Sequence, residues 1–132
     1  MRRDLTLPER DVEYLDSLGL PWETVRDGRL GRVLVHDYAV PQGFKPDATT
    51  ACLKLEPGYP ETEIDMVYFF PHLTRVDGRP VARLAADQFD GKSWQRWSRH
   101  RTPQNPWRRG VDDISTHMQL VRFWLERELS KA

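Results

Sequence analysis

Ser98 and His100 stand two residues apart in Trp94-Gln95-Arg96-Trp97-Ser98-Arg99-His100, a stretch that is both basic and rich in tryptophan. In an extended backbone, side chains at i and i+2 point to the same side. The spacing therefore places the hydroxyl and the imidazole on one face, with Trp97 and Arg99 on the other. A hydroxyl is a weak nucleophile until an adjacent base takes its proton. His100 is such a base at the right distance along the chain. A polar loop whose serine and histidine merely meet water would carry the same letters, because both residues are common at surfaces.

The remaining reagents are weaker candidates. A thiolate is a better nucleophile than a hydroxyl, but Cys52 falls inside an alternating run with no histidine beside it in sequence. A free cysteine there behaves as a small hydrophobe. His72 ends an apolar run and reads as a hydrogen-bonded structural residue. The four histidines, 36, 72, 100 and 117, include no pair at zinc-ligand spacing. A single cysteine excludes an intrachain disulfide and a cysteine-rich zinc site. Neither a metal nor another cofactor is expected.

Lys92, Arg96, Arg99, Arg101, Arg108 and Arg109 lie between Gly91 and Arg109 without an intervening carboxylate. Tryptophans among such cations also suit single-stranded nucleic acid, stacking bases while arginines neutralise phosphates. Against that reading, 20 basic residues balance 20 acidic ones and no nucleic-acid motif accompanies the stretch. The plainer role for Trp94, Trp97 and Trp107 is to anchor a long loop on the core.

These residues need a frame to hold them. A chain of 132 residues fits one domain, residues 1–132, around one core. Thr6-Leu7-Pro8-Glu9 has the spacing of a capping box, and Val12, Leu15 and Leu18 follow at helical spacing until Gly19 and Pro21 stop them. Strands are expected at Arg32-Val33-Leu34-Val35-His36, at 49–55 and at 65–70. Asp77-Gly78 reads as a hairpin turn, with Pro80 to Ala85 as the returning strand. A last helix is expected over 111–129, with Val111, Ile114, Met118, Val121 and Leu125 as its apolar stripe and Leu120 and Trp124 widening it. Helix, antiparallel meander, irregular segment, helix is an α+β order. The first residues lack the apolar run of a signal peptide, and no segment approaches the roughly 18 apolar residues of a membrane span. A cytoplasmic protein is expected.

Leu53-Lys54-Leu55-Glu56-Pro57-Gly58-Tyr59-Pro60 resembles the strand and Tyr-Pro turn of ubiquitin-conjugating enzymes. Leu7-Pro8-Glu9, Leu18-Gly19-Leu20-Pro21-Trp22, Asp65-Met66, the stretch from Trp94 to His100, and Trp107 are similar to the bacterial family E of that superfamily. The resemblance covers nearly the whole chain and implies the ubiquitin-conjugating-like fold. It also implies partners: a ubiquitin-like protein, a ubiquitin-activating-type enzyme and, in the same pathway, a deubiquitinase-like metallopeptidase. Two departures stand out. The superfamily's His-Pro-Asn element has only a reversed echo at Pro71-His72, and its catalytic cysteine is missing. Counting back from Trp107 reaches Ser98-Arg99, whereas aligning the active-site loop after Asp77-Gly78 reaches Val81-Ala82, which holds no nucleophile. The resemblance thus implies an acyl carrier that uses Ser98 as an oxyester, with His100 as base and Arg99, Gln95 or Asn105 as oxyanion donor. The alternative is a non-catalytic module that docks a ubiquitin-like protein or its activating enzyme.

Overall fold

The computed structural model describes residues 1–131. Helix α1 (Glu9–Ser17) is followed by strands β1 (Trp22–Asp27), β2 (Leu30–Ala39), β3 (Phe44–Lys45), β4 (Ala48–Leu55), β5 (Val67–Phe70), β6 (Thr74–Arg75), β7 (Leu84–Phe89) and β8 (Lys92–Trp97), and helix α2 (Ile114–Ser130) comes last. Six strands form one antiparallel sheet in the order β1-β2-β4-β5-β8-β7, and β3 pairs with β6 beside it. The architecture is α+β, as the order of patterns implies.

Alternation in β4 splits the sheet into two faces. Ala51, Leu53 and Leu55 join the main core with Val33, Val35, Val67, Phe69 and Trp97, covered by Leu15 of α1 and by Ile114, Met118, Val121 and Leu125 of α2. Cys52 faces the other way, in a smaller cluster with Val25, Leu34, Tyr68, Phe89 and Trp94. Neither α1 nor α2 contributes a residue to that second cluster. Long cations shield it instead: Arg32 lies 4.5 Å from the Phe89 ring centroid and Lys54 lies 5.2 Å from that of Tyr68.

Three local expectations need correcting, and one strand was not expected at all. Thr6 does not cap α1; Pro8 is the N-cap, with no side-chain cap hydrogen bond. A strand not foreseen follows Pro21: β1, whose Trp22, Glu23, Thr24 and Val25 are all buried. Its mixed polar and apolar letters hide a strand that pairs fully with β2 through the two-residue turn Gly28-Arg29. Asp77-Gly78 does turn the chain, with the Gly78 N–H donating to Arg75 O, but β6 pairs with β3 and no strand returns over 80–83. The hairpin is made instead by Asp90-Gly91, both left-handed, between β7 and β8. Val111 is half exposed and precedes α2, which starts at the Asp113 cap.

One carboxylate ties distant parts together. Asp11 of α1 accepts hydrogen bonds from Tyr59 Oη (2.7 Å) and from Ile114 N (3.2 Å). The Tyr-Pro turn and the first turn of α2 are thereby locked to α1. Burial raises the Asp11 carboxyl pKa, while the two donors oppose the shift.

Candidate functional site

Trp94 and Trp97 belong to β8, so the irregular segment is shorter than its tryptophans suggest and runs over 98–113. Trp97 is fully buried, edge-on to Phe69 at 5.7 Å and Phe44 at 5.8 Å. Past it the alternation continues: Ser98 is half-buried, Arg99 is buried and His100 is exposed. The hydroxyl and the imidazole therefore both leave the core, with Trp97 and Arg99 inward.

Their immediate supports come from three elements. The Ser98 N–H donates to Arg83 O at 3.1 Å, and Arg99 Nη1 donates to the same carbonyl at 3.2 Å. Arg83 adopts the left-handed region (φ 54°), which costs a non-glycine residue on the order of 1–3 kcal/mol. Arg99 also pairs with Glu128 of α2 at 3.1 Å, both side chains being almost wholly buried. Burial works to raise the Glu128 carboxyl pKa, yet the Ala82 N–H and the Lys131 ammonium hold it below its ordinary value. His100 turns to Asp65, with Nδ1 2.8 Å from Oδ2. Among the described residues the Ser98 hydroxyl makes no hydrogen bond, and no bond links it directly to His100.

The three expected donors differ sharply. Gln95 is consumed by the core: its Oε1 accepts from Leu73 N and Trp97 Nε1, and its Nε2 donates to Leu73 O. Arg99 is committed to Glu128 and to backbone carbonyls. Asn105 is exposed, and its backbone N–H closes a turn on Thr102 O at 2.9 Å. His100, Arg99 and Asn105 line one groove of about 340 Å³, together with Phe123 and Arg127 of α2. Ser98 lies beside the groove, outside its lining.

Further along, Arg101 donates to His117 Nδ1 at 3.1 Å, and His117 Nε2–H donates to Met66 O at 2.9 Å. Burial, reinforced by Arg101, pushes His117 down to about 4, so the ring is neutral. Trp107 is fastened to the Tyr-Pro turn through Nε1–H to Pro60 O at 3.0 Å. The segment is thus pinned at both ends, and its cations are largely spent internally: Arg108 pairs with Asp112 at 3.1 Å, with Arg101 3.9 Å away on the same carboxylate.

Cys52 is fully buried, and burial lifts its thiol to about 12 despite the nearby Arg32. It is a packed hydrophobe at neutral pH. His72 Nε2–H donates to Ser93 O at 3.1 Å. No group of three or more potential metal ligands occurs among the described residues. No helix there is long and apolar enough to cross a membrane. Asp65, the partner of His100, could not be singled out by spacing, since it lies 35 residues away.

Compared with known proteins, residues 7–128 match the family model described as prokaryotic E2 family E. No curated protein and no solved structure matches the chain.

Proposed function

The chain belongs to the prokaryotic E2 family E, and from that premise we propose that it is a ubiquitin-conjugating-like carrier with Ser98 as its acceptor. The observation that carries this reading is the carboxylate–imidazole pair, His100 Nδ1 to Asp65 Oδ2 at 2.8 Å, two residues after an outward-facing serine. Asp65 accepts the Nδ1 proton and fixes the tautomer, which leaves Nε2 as the base. Ser98 Oγ attacks the carbonyl of a ubiquitin-like C-terminus held as a thioester on its activating enzyme. The C–O bond forms, the C–S bond breaks, and the serine proton passes through His100 to the departing thiolate. Asn105 is the donor left available to the oxyanion. Arg99 acts through position: with Glu128 and Arg83 it fixes the backbone on which Ser98 and His100 sit.

The partners are then a ubiquitin-like protein and a ubiquitin-activating-type enzyme, with a deubiquitinase-like metallopeptidase in the same cytoplasmic pathway, and residues 1–132 act as one conjugating-like domain. The groove beside His100, with Phe123 and Arg127 in its lining, suits a narrow peptide tail. A second reading, a docking module without chemistry, draws support from Gln95 and Arg99 being fully engaged inside the protein.

One reconstitution separates the two. With its cognate ubiquitin-like protein, activating enzyme and ATP, the protein forms an adduct that resists thiol reductant and yields to hydroxylamine or strong base. Ser98→Ala abolishes the adduct, and Cys52→Ala retains it. His100→Ala slows formation by roughly 10²–10⁴-fold. An adduct that survives Ser98→Ala removes the oxyester, and binding without any adduct leaves the docking module.

A further inference from the structure

We propose that Thr50, His36 and Glu23 form a separate nucleophilic site for acyl esters, on the sheet face turned away from the two helices. Thr50 Oγ1 lies 3.0 Å from His36 Nδ1, and His36 Nε2 lies 2.6 Å from Glu23 Oε2. The proton positions follow from the partners. The Arg2 guanidinium, 2.9 Å from Glu23 Oε1, together with His36 holds the Glu23 carboxyl down at about 2, so it is ionised and can only accept. His36 Nε2 must then carry the proton. In the neutral ring Nδ1 is the acceptor, and the Thr50 hydroxyl donates to it. A hydroxyl that donates to an imidazole, itself oriented by a carboxylate, is the arrangement of an activated nucleophile.

Local backbone geometry aims the imidazole. The β2–β4 register shifts between Val35 and Tyr38, and Asp37 sits in the left-handed region (φ 56°). Bulges of this kind re-aim side chains and are enriched beside active sites. A cavity of about 310 Å³ opens at the site, lined by Thr50, His36, Phe70, Trp94 and Lys92 among others. Phe70 is directly opposite Thr50 on β5, and its ring centroid is 5.8 Å from that of Trp94. Lys92 Nζ lies 5.7 Å from the Phe70 centroid. The cavity therefore offers an apolar wall for an acyl group; of its two cations, Arg2 is committed to Glu23 and Asp90, and Lys92 is the one left for a developing oxyanion.

The step balances with water alone. Thr50 Oγ bonds to the ester carbonyl carbon, and the bond from that carbon to the alcohol oxygen breaks. His36 takes the threonine proton and delivers it to the leaving alkoxide. Water, deprotonated by His36, then attacks the acyl-threonine, releasing the acid and restoring the hydroxyl. The net reaction is ester plus water to acid plus alcohol.

The test uses the whole protein with p-nitrophenyl acetate as substrate and a fluorophosphonate probe, located by peptide mass spectrometry. The probe is expected on Thr50. Thr50→Val should abolish labelling and reduce ester turnover to background, Thr50→Ser should retain both, and His36→Gln should slow turnover roughly 10²–10⁴-fold. Glu23→Gln should lower kcat per site titrated with the fluorophosphonate probe while the titre stays at that of the parent protein; loss of fold would lower the titre instead. Thr62→Ala, an exposed loop hydroxyl, should behave as the parent protein. Should Thr50→Val fail to fold, probe mapping on the parent protein and on Thr50→Ser decides. Labelling elsewhere, or turnover no faster than buffer, overturns the proposal.

Discussion

The Arg99–Glu128 pair shows how a single buried contact sets the outlook of its neighbours. Committing the guanidinium inward fixes residue 99 as a core position, and alternation then turns Ser98 and His100 outward. That much was legible from an i, i+2 spacing. The partners were not: Asp65 for His100 and Glu128 for Arg99 lie far away in sequence, and only the packed fold brings them near. His117 was equally illegible, because a histidine inside an apolar helical stripe carries no sign of what it faces. Its depressed pKa has a definite consequence for stability. The native ring stays neutral while an unfolded chain takes up a proton near 6.5, so the contribution is complete above that pH and is lost as pH falls toward about 4. The loss should reach about 3 kcal/mol. Urea midpoints measured between pH 7 and pH 4 should fall steeply, and His117→Gln should flatten that part of the curve. A parallel slope in the variant would assign the acid sensitivity elsewhere.

At the level of elements, strong periodicity was read correctly and turn chemistry less so. The α2 stripe stands out because Ile114, Met118, Val121 and Leu125 recur at helical spacing, and all four are buried. Val111 continues the numerical pattern yet lies before the cap, where Asp113 accepts from Thr116 N. Three Asp-Gly pairs, at 27–28, 77–78 and 90–91, carry the same local signal, and only strand pairing decides that the first and the last lie at hairpins. Strand β1 is masked in the sequence because Glu23 and Arg26 break its alternation; Glu23 is buried with its ion pair to Arg2, which no pattern of hydrophobicity reveals. Met118→Asp places an unpaired charge where the wild-type side chain is 4% exposed. It should unfold the protein or cost several kcal/mol, on the order of 3–5. Unchanged thermal melting of that variant would mean that α2 does not carry the core.

Across the whole molecule the charges balance, and half of the apparent basic stripe is paired internally. Arg99, Arg101 and Arg108 meet Glu128 and Asp112, leaving Lys92, Arg96 and Arg109 of the six to meet a phosphate backbone. Fluorescence polarisation with single-stranded RNA should therefore show only weak binding that disappears near 0.15 M salt. Micromolar affinity at that salt would restore the nucleic-acid reading. A different consequence follows from the junction at Asp11, whose carboxylate is completed by Tyr59 and Ile114, 48 and 103 residues further on. During synthesis the first helix emerges long before either partner exists. Until α2 has left the ribosome, α1 lacks the donor that seats its buried carboxylate, so the polypeptide acquires its native wiring only when its last helix arrives. Translation thus imposes a waiting period on the amino-terminal half, during which Asp11 and Leu15 of α1 lack the cover that buries them in the finished protein.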